Sequence, residues 1–120
     1  ERLGSVICYG DGKGNFEIKE LPADLQKAPI FCFERFNAVN GNKAYIAGGN
    51  FYDVIPYEGR YDAQPLAIFT VDKNKNAHYV HQENLSGVNA QIRSAKWVSA
   101  KQDRKLVVGA NNSSLIFLKN

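Results

Sequence analysis

The sequence has no methionine, one tryptophan, two cysteines and four prolines in 120 residues. Two cysteines are too few for a disulfide scaffold. There are only two histidines, His78 and His81, and no nucleophile elbow, so no Ser-His-Asp grouping has support. No apolar run approaches the roughly 18 residues a membrane-spanning helix needs. Neither charge sign dominates: fifteen Lys and Arg against twelve Asp and Glu leave a net charge of +3. The basic residues are scattered except for a loose cluster of Arg93, Lys96, Lys101, Arg104 and Lys105. Nucleic-acid binders gather such charge on one face beside stacking aromatics. A solvated strand edge and turn is the plainer reading, and no nucleic-acid partner is expected. Helical periodicity is nearly absent too. Pro22–Ala28 is the one candidate, and Pro29 would stop it within a turn or two. The chain opens on Glu1, which is read as a piece of something longer.

What is present is core material. Apolar residues make up 44% and aromatics 12%, enough for one small folded domain. Short strands alternate with turn residues. The spacing predicts nine, over Ser5–Gly10, Phe16–Glu20, Ile30–Phe36, Ala44–Gly48, Leu66–Val71, His78–His81, Ile92–Val98, Leu106–Gly109 and Leu115–Leu118. In Phe16–Glu20 the apolar Phe16 and Ile18 share one face and Glu17 and Lys19 the other. Asn40-Gly41, at the centre of Asn37–Asn42, is a strong hairpin signal.

The strands recur. Ile30–Asn50 lies over Ile92–Asn112 at an offset of 62 residues with no gap, placing Phe36 on Val98 and Ile46 on Val108. Gly4–Glu20 lies over Pro65–His81 at an offset of 61, placing Ile7 on Ile68 and Asp11 on Asp72. Four strands in such a period make a unit the size of a large propeller blade. The fold expected is all-β, antiparallel four-stranded blades of a β-propeller: a partial blade over 1–22, a full blade over 30–82 and a partial blade over 92–120. Blades stand by stacking on neighbours. An orphaned group of them is expected to self-associate through bare faces and edges. A self-contained small β-sandwich is the alternative. In the full unit, Phe51–Gln64 is inserted between the second and third strands, where the last unit has only Ser113–Ser114.

Val6-Ile7-Cys8-Tyr9 followed by Gly10-Asp11-Gly12-Lys13-Gly14-Asn15-Phe16 resembles the FG-GAP or VCBS repeat of integrin-type β-propellers and bacterial surface proteins. Ala47-Gly48-Gly49-Asn50-Phe51-Tyr52 and Gly59-Arg60-Tyr61-Asp62-Ala63 are similar to the C-terminal region of long VCBS-repeat proteins of the Bacteroidetes. The resemblance implies a propeller parent, an extracytoplasmic address (periplasm or cell surface) and a non-catalytic role in binding a protein or glycan. Repeats of this family commonly hold calcium between the first two strands. Here Asn37–Asn42 has no carboxylate, and Ser99–Arg104 has one beside basic groups. Calcium needs roughly 6–8 oxygens, so no metal and no cofactor is carried over. Asp11 and Asp72 are explained by Asx turns.

The insertion is the best candidate for a ligand-binding surface, through Tyr52, Tyr57, Arg60, Tyr61 and Asp62. Tyrosine offers large, stiff contact area with a polar tip. The plainer account is rings packed on the blade edge, with Arg60 paired to Asp53 or Asp62. Asp53, Glu58 and Asp62 are weak material for paired-carboxylate chemistry. The rim of a propeller-type polysaccharide-degrading enzyme stays open as an alternative. His78 and His81, three apart on a strand, point to opposite faces and cannot share an ion. Cys8 and Cys32 are read as buried free thiols, with a disulfide possible in an oxidising compartment. Trp97 is read as core, with Ile92, Ser94, Lys96 and Val98 on the other side of its strand.

Overall fold

The computed structural model describes residues 4–53, 57, 59, 61–82, 85, 87–100 and 103–119. Its named strands form three open antiparallel sheets, each in chain order. The first holds β1 (Val6–Gly10) and β2 (Phe16–Glu20). The middle sheet holds β3 (Ile30–Val39), β4 (Asn42–Gly49), β5 (Ala67–Val71) and β6 (Ala77–Val80). The last holds β7 (Ile92–Ala100), β8 (Asp103–Ala110) and β9 (Ile116–Lys119). The all-β class and the antiparallel pairing are as the alternating pattern requires.

The middle sheet is covered on both faces, and β5 shows why its sequence is apolar throughout. Side chains of successive strand residues point to opposite faces. Ala67 and Phe69 join a core with Leu21, Leu25 and Ala47, against which Ile7 packs. Ile68, between them, joins a second core with Ala44, Ile46, Leu66, Ile92, Leu106 and Val108. The first core lies toward the first sheet and the second toward the last sheet. The outer faces of the stack are bare. Phe16 and Ile18 are 69% and 51% exposed on one, Val98 and Phe117 50% and 60% on the other.

The expected helix over Pro22–Ala28 is a single 3-10 turn, Ala23–Leu25. Pro22 is extended, at ψ 155°. The Gln26 side chain ties the end of this turn to the residue before β1. Its Oε1 accepts from the Ser5 amide at 2.7 Å, and its Nε2 donates to the Ser5 carbonyl at 2.9 Å. Leu25 plugs the first core from this turn, fully buried.

The hairpins of the first and middle sheets match residue for residue. Ile7↔Lys19 recurs 61 positions later as Ile68↔Val80. Asp11 accepts from the amides of Lys13 and Asn15 at 2.7 and 3.1 Å; Asp72 accepts from those of Asn74 and Asn76 at 2.8 and 2.9 Å. Gly14 and Lys75, again 61 apart, both have positive φ, 97° and 65°. The Asp and Asn of the turn recur in both copies, and its left-handed position recurs although Gly14 is replaced by Lys75.

The other pair of hairpins corrects the gap-free alignment. Phe36 pairs with Ala44, but Val98, 62 later, pairs with Lys105, only 61 after Ala44. The extra residue is absorbed by an irregularity between Phe36 and Val39 in β3, which β7 lacks. Beyond it the offset is 61, so Ile46 answers to Val107 and not to Val108. Both hairpins share a second irregularity, between Ile30 and Cys32 and between Ile92 and Ser94. Such a bulge resets which face the next residue takes. It turns Ile92 into the core beside Trp97, correcting the expectation that the two lie on opposite sides. The final join is also longer than expected, since β9 begins at Ile116.

Candidate binding surface

The insertion is built on a buried polar base. Asn50 and Gln64, at its two ends, are 0% and 1% exposed. Asn50 Oδ1 accepts from the Gln64 amide at 2.9 Å. Asn50 Nδ2 donates to Asn89 Oδ1 at 2.6 Å. Asn50 has φ 73°, a left-handed conformation that asparagine tolerates better than most side chains. Just inside, Phe51 and Tyr61 exchange backbone hydrogen bonds at 2.8 and 3.0 Å.

Arg93 locks this base to the last sheet. Its Nη1 donates to the Asn50 carbonyl at 3.0 Å and its Nη2 to Gln91 Oε1 at 3.0 Å. Its guanidinium lies 4.0 Å from the Phe31 ring centre, and Phe31 packs against Phe51. Gln91 Oε1 also accepts from the Tyr52 amide at 3.3 Å. The sequence reading placed Arg93 in a solvated cluster and missed this role. The aromatic residues Phe31 and Phe51 were the available signal, but nothing in linear order joins them to position 93.

Of the predicted ligand residues, Tyr52 and Tyr61 stand at this base. Tyr52 is half-buried, Tyr61 is 45% exposed and Asp62 is exposed. Tyr57, beyond the base, is 83% exposed. Arg60 and Glu58 lie outside the described residues. The described residues therefore make a fixed collar carrying the exposed Tyr61, not an enclosed pocket.

Two hollows lie elsewhere. One, about 520 Å³, opens beside β3 and β7. Trp97 Nε1 donates to the Arg35 carbonyl at 2.7 Å, and the Arg104 guanidinium lies 4.5 Å from the Trp97 ring centre. Glu34 Oε2 meets Lys96 Nζ at 2.9 Å, and that bond holds the Glu34 carboxyl below its ordinary pKa. The described members of the basic cluster are thus divided among separate partners: Arg93 on Phe31, Lys96 on Glu34, Arg104 on Trp97 and Lys105 on Asp103 at 3.4 Å; Lys101 lies outside the described residues. The other hollow, about 700 Å³, is a groove between the first and middle sheets. It is lined by Tyr9, Phe33, Tyr45 and Phe69 and rimmed by Lys43 and Lys73.

The remaining candidates have structural places. His78 Nε2 lies 2.9 Å from Asp72 Oδ2 within the second Asp turn. That bond, followed by the Asn76 and Asn74 amides, holds the Asp72 carboxyl below its ordinary pKa. In the first turn the Asn15 side chain does the same for Asp11. His81 lies past the end of β6. Both cysteines are free thiols. Cys32 is half-buried, which pushes its pKa up, whereas Cys8 is exposed on the outer face of β1, correcting the expectation that both are buried. Among the described residues no helix is long and apolar enough to cross a membrane.

No protein-family model matches the chain, and neither does any curated protein or solved structure.

Proposed function

We propose that the chain is a non-catalytic binding and structural segment of an extracytoplasmic FG-GAP/VCBS-type β-propeller, and that its insertion contacts a protein or glycan. The observation that carries the binding part is the collar. Asn50, Gln64 and Arg93 immobilise the ends of a loop whose Tyr57 and Tyr61 face solvent. Contact through a pre-positioned aromatic loses little conformational entropy on binding. Sugars fit tyrosine well, because C–H faces stack on the ring while the phenol tip hydrogen-bonds. The propeller part is supported by three sheets stacked face to face, two of which share a turn with the same carboxylate bonds 61 residues apart. The bare outer faces, with Phe16 and Phe117 exposed, support self-association of the isolated chain.

The test is a glycan array with the purified chain, paired with a turnover screen on acidic polysaccharides. Retention of a glycan, lost in Tyr57→Ala/Tyr61→Ala with the fold intact by circular dichroism, is the expected result. Retention unchanged in that double variant sinks the insertion as the contact surface. Release of reducing or unsaturated ends sinks the non-catalytic reading.

A further inference from the structure

The hollow beside β3 and β7 lies between two sheets that are both present, so strands elsewhere in a longer chain would not fill it. Its origin is a bulge. β3 and β7 are equivalent first strands, yet β3 carries an extra residue between Phe36 and Val39, while β7 runs on regularly over the same stretch. A bulge bends and twists its strand. The two strands therefore part at this end and leave about 520 Å³ between them. Asn37 and Ala38, which the β3–β4 register passes over, line it on one side. Glu34, Phe36 and Trp97 are half-buried in it, whereas Lys96 and Arg104 are exposed.

The charges around the hollow are held in place. Lys96 Nζ meets Glu34 Oε2 at 2.9 Å, and Glu34 Oε1 accepts from the Arg35 amide at 3.0 Å. The Arg104 guanidinium rests on Trp97, 4.5 Å from the ring centre, and its Nη1 reaches Asn37 Oδ1 at 3.4 Å. Trp97 is fixed in turn by Phe36, 5.9 Å away, and by its bond to the Arg35 carbonyl at 2.7 Å. Among the described residues no carboxylate pairs with Arg104. Most of its five N–H donors therefore remain available. Arg35 adds backbone only, because it pairs with Tyr45, whose face packs toward the first sheet. Glu34 and Lys96 cancel, so the described residues leave the hollow the single positive charge of Arg104.

From these observations we infer that the hollow binds a hydroxylated monocarboxylate the size of one hexuronic acid, its carboxylate on the Arg104 fork and its hydroxyls against Asn37, Ala38 and Lys96. A guanidinium held on an aromatic ring meets a carboxylate through two parallel bonds and loses little side-chain freedom in doing so. One positive charge selects a monoanion. A phosphate group, at about −1.5 to −2, carries more negative charge than Arg104 answers, and the fixed Glu34 carboxylate repels the excess. Hydroxyls are called for because a purely apolar ligand would leave the polar groups of the wall without partners. The volume falls within the roughly 300–1,000 Å³ of small-molecule sites. The tyrosine insertion takes no part in this site.

Trp97 is the one tryptophan of the chain, so its fluorescence reports on the hollow. The full chain is titrated with sodium glucuronate at constant ionic strength, with glucose, acetate and inorganic phosphate as separate arms. Calorimetry repeats each titration, since a change at Arg104 alters the fluorescence itself. The expected result is saturation by glucuronate with a midpoint of about 1 mM. Glucose should not saturate, and acetate and phosphate should bind roughly tenfold more weakly or worse. Arg104→Met, which keeps a stem on Trp97, should weaken glucuronate binding by roughly tenfold or more with the fold intact by circular dichroism. Glu34→Gln, close to the same shape, releases Lys96 and should move the preference toward phosphate. Tyr57→Ala/Tyr61→Ala should alter none of this, so the site and the insertion fail separately. The proposal is overturned by no saturation with glucuronate, by equal binding of glucose or acetate, or by phosphate binding more tightly than glucuronate to the unaltered chain. Full binding in folded Arg104→Met, an anion order unmoved by Glu34→Gln, or loss of binding in the tyrosine variant overturns it too.

Discussion

The hairpins β1–β2 and β5–β6 are nearly the same object in different surroundings. Each pairs in the same register, turns on an aspartate that binds two amides, and places a left-handed residue three positions after it. Yet four of the five residues of β5 are buried, while no residue of β1 is. Local sequence makes the hairpin. Neighbouring sheets decide whether it becomes core. The lesson is that a turn signature such as Asp-x-x-x-Asn reports local geometry and says nothing about burial.

The sharpest way to break that comparison is to remove equivalent side chains from the two strands. Ile68→Ala should cost about 3 kcal/mol, since it opens a cavity in packed surroundings. Ile7→Ala, at the equivalent half-buried position, should cost about 1 kcal/mol, because less apolar area is lost and the site can relax. Urea unfolding of both variants measures the gap, and equal costs would mean the stack does not differentiate the hairpins.

Glycines offer a second contrast, of smaller size. A Cβ on Gly49 would stand 1.9 Å from the Pro29 carbonyl oxygen, which cannot swing aside. One on Gly109 meets Ser94 Oγ at 2.8 Å, which can rotate. Gly49→Ala should therefore cost about 2 kcal/mol or more and Gly109→Ala distinctly less. Gly14→Ala meets no atom but keeps φ 97°, for a penalty of about 1 kcal/mol. Thermal melts should rank the three in that order.

The smallest effect separates the two turns by pH. Asp11 and Asp72 are both held below the ordinary carboxylate pKa. Their stabilising contribution is complete above that ordinary value, near 4, and is lost as pH falls through the lower folded values. Asp72 owes its shift first to His78, Asp11 to Asn15. His78→Ala should weaken the acid-dependent loss at the second turn and leave the first unchanged, read from the carboxyl resonances of the two residues during a titration between about pH 2 and 6. Unchanged titration of Asp72 in that variant would remove His78 from the turn's electrostatics.

Strand positions were legible because alternation, Gly-rich turns and Asn-Gly are local signals. The Ile46–Val108 correspondence failed because a bulge adds one residue without altering composition. Tyr57 and Tyr61 could be singled out as exposed aromatics of an insertion. Arg93 could not, because its partners at positions 31, 50 and 91 meet it only after the last sheet has stacked on the middle one.

Taken by itself, the order of residues determined the hairpins, their turns and the near-61 spacing, since each depends on backbone preferences spanning a handful of positions. The tertiary structure alone decided which of the repeated faces is buried, which arginine anchors the insertion, and where a groove stays open. Those outcomes depend on contacts between sheets distant in sequence, and burial free energy is set by what lies across the interface, not by the strand that supplies it.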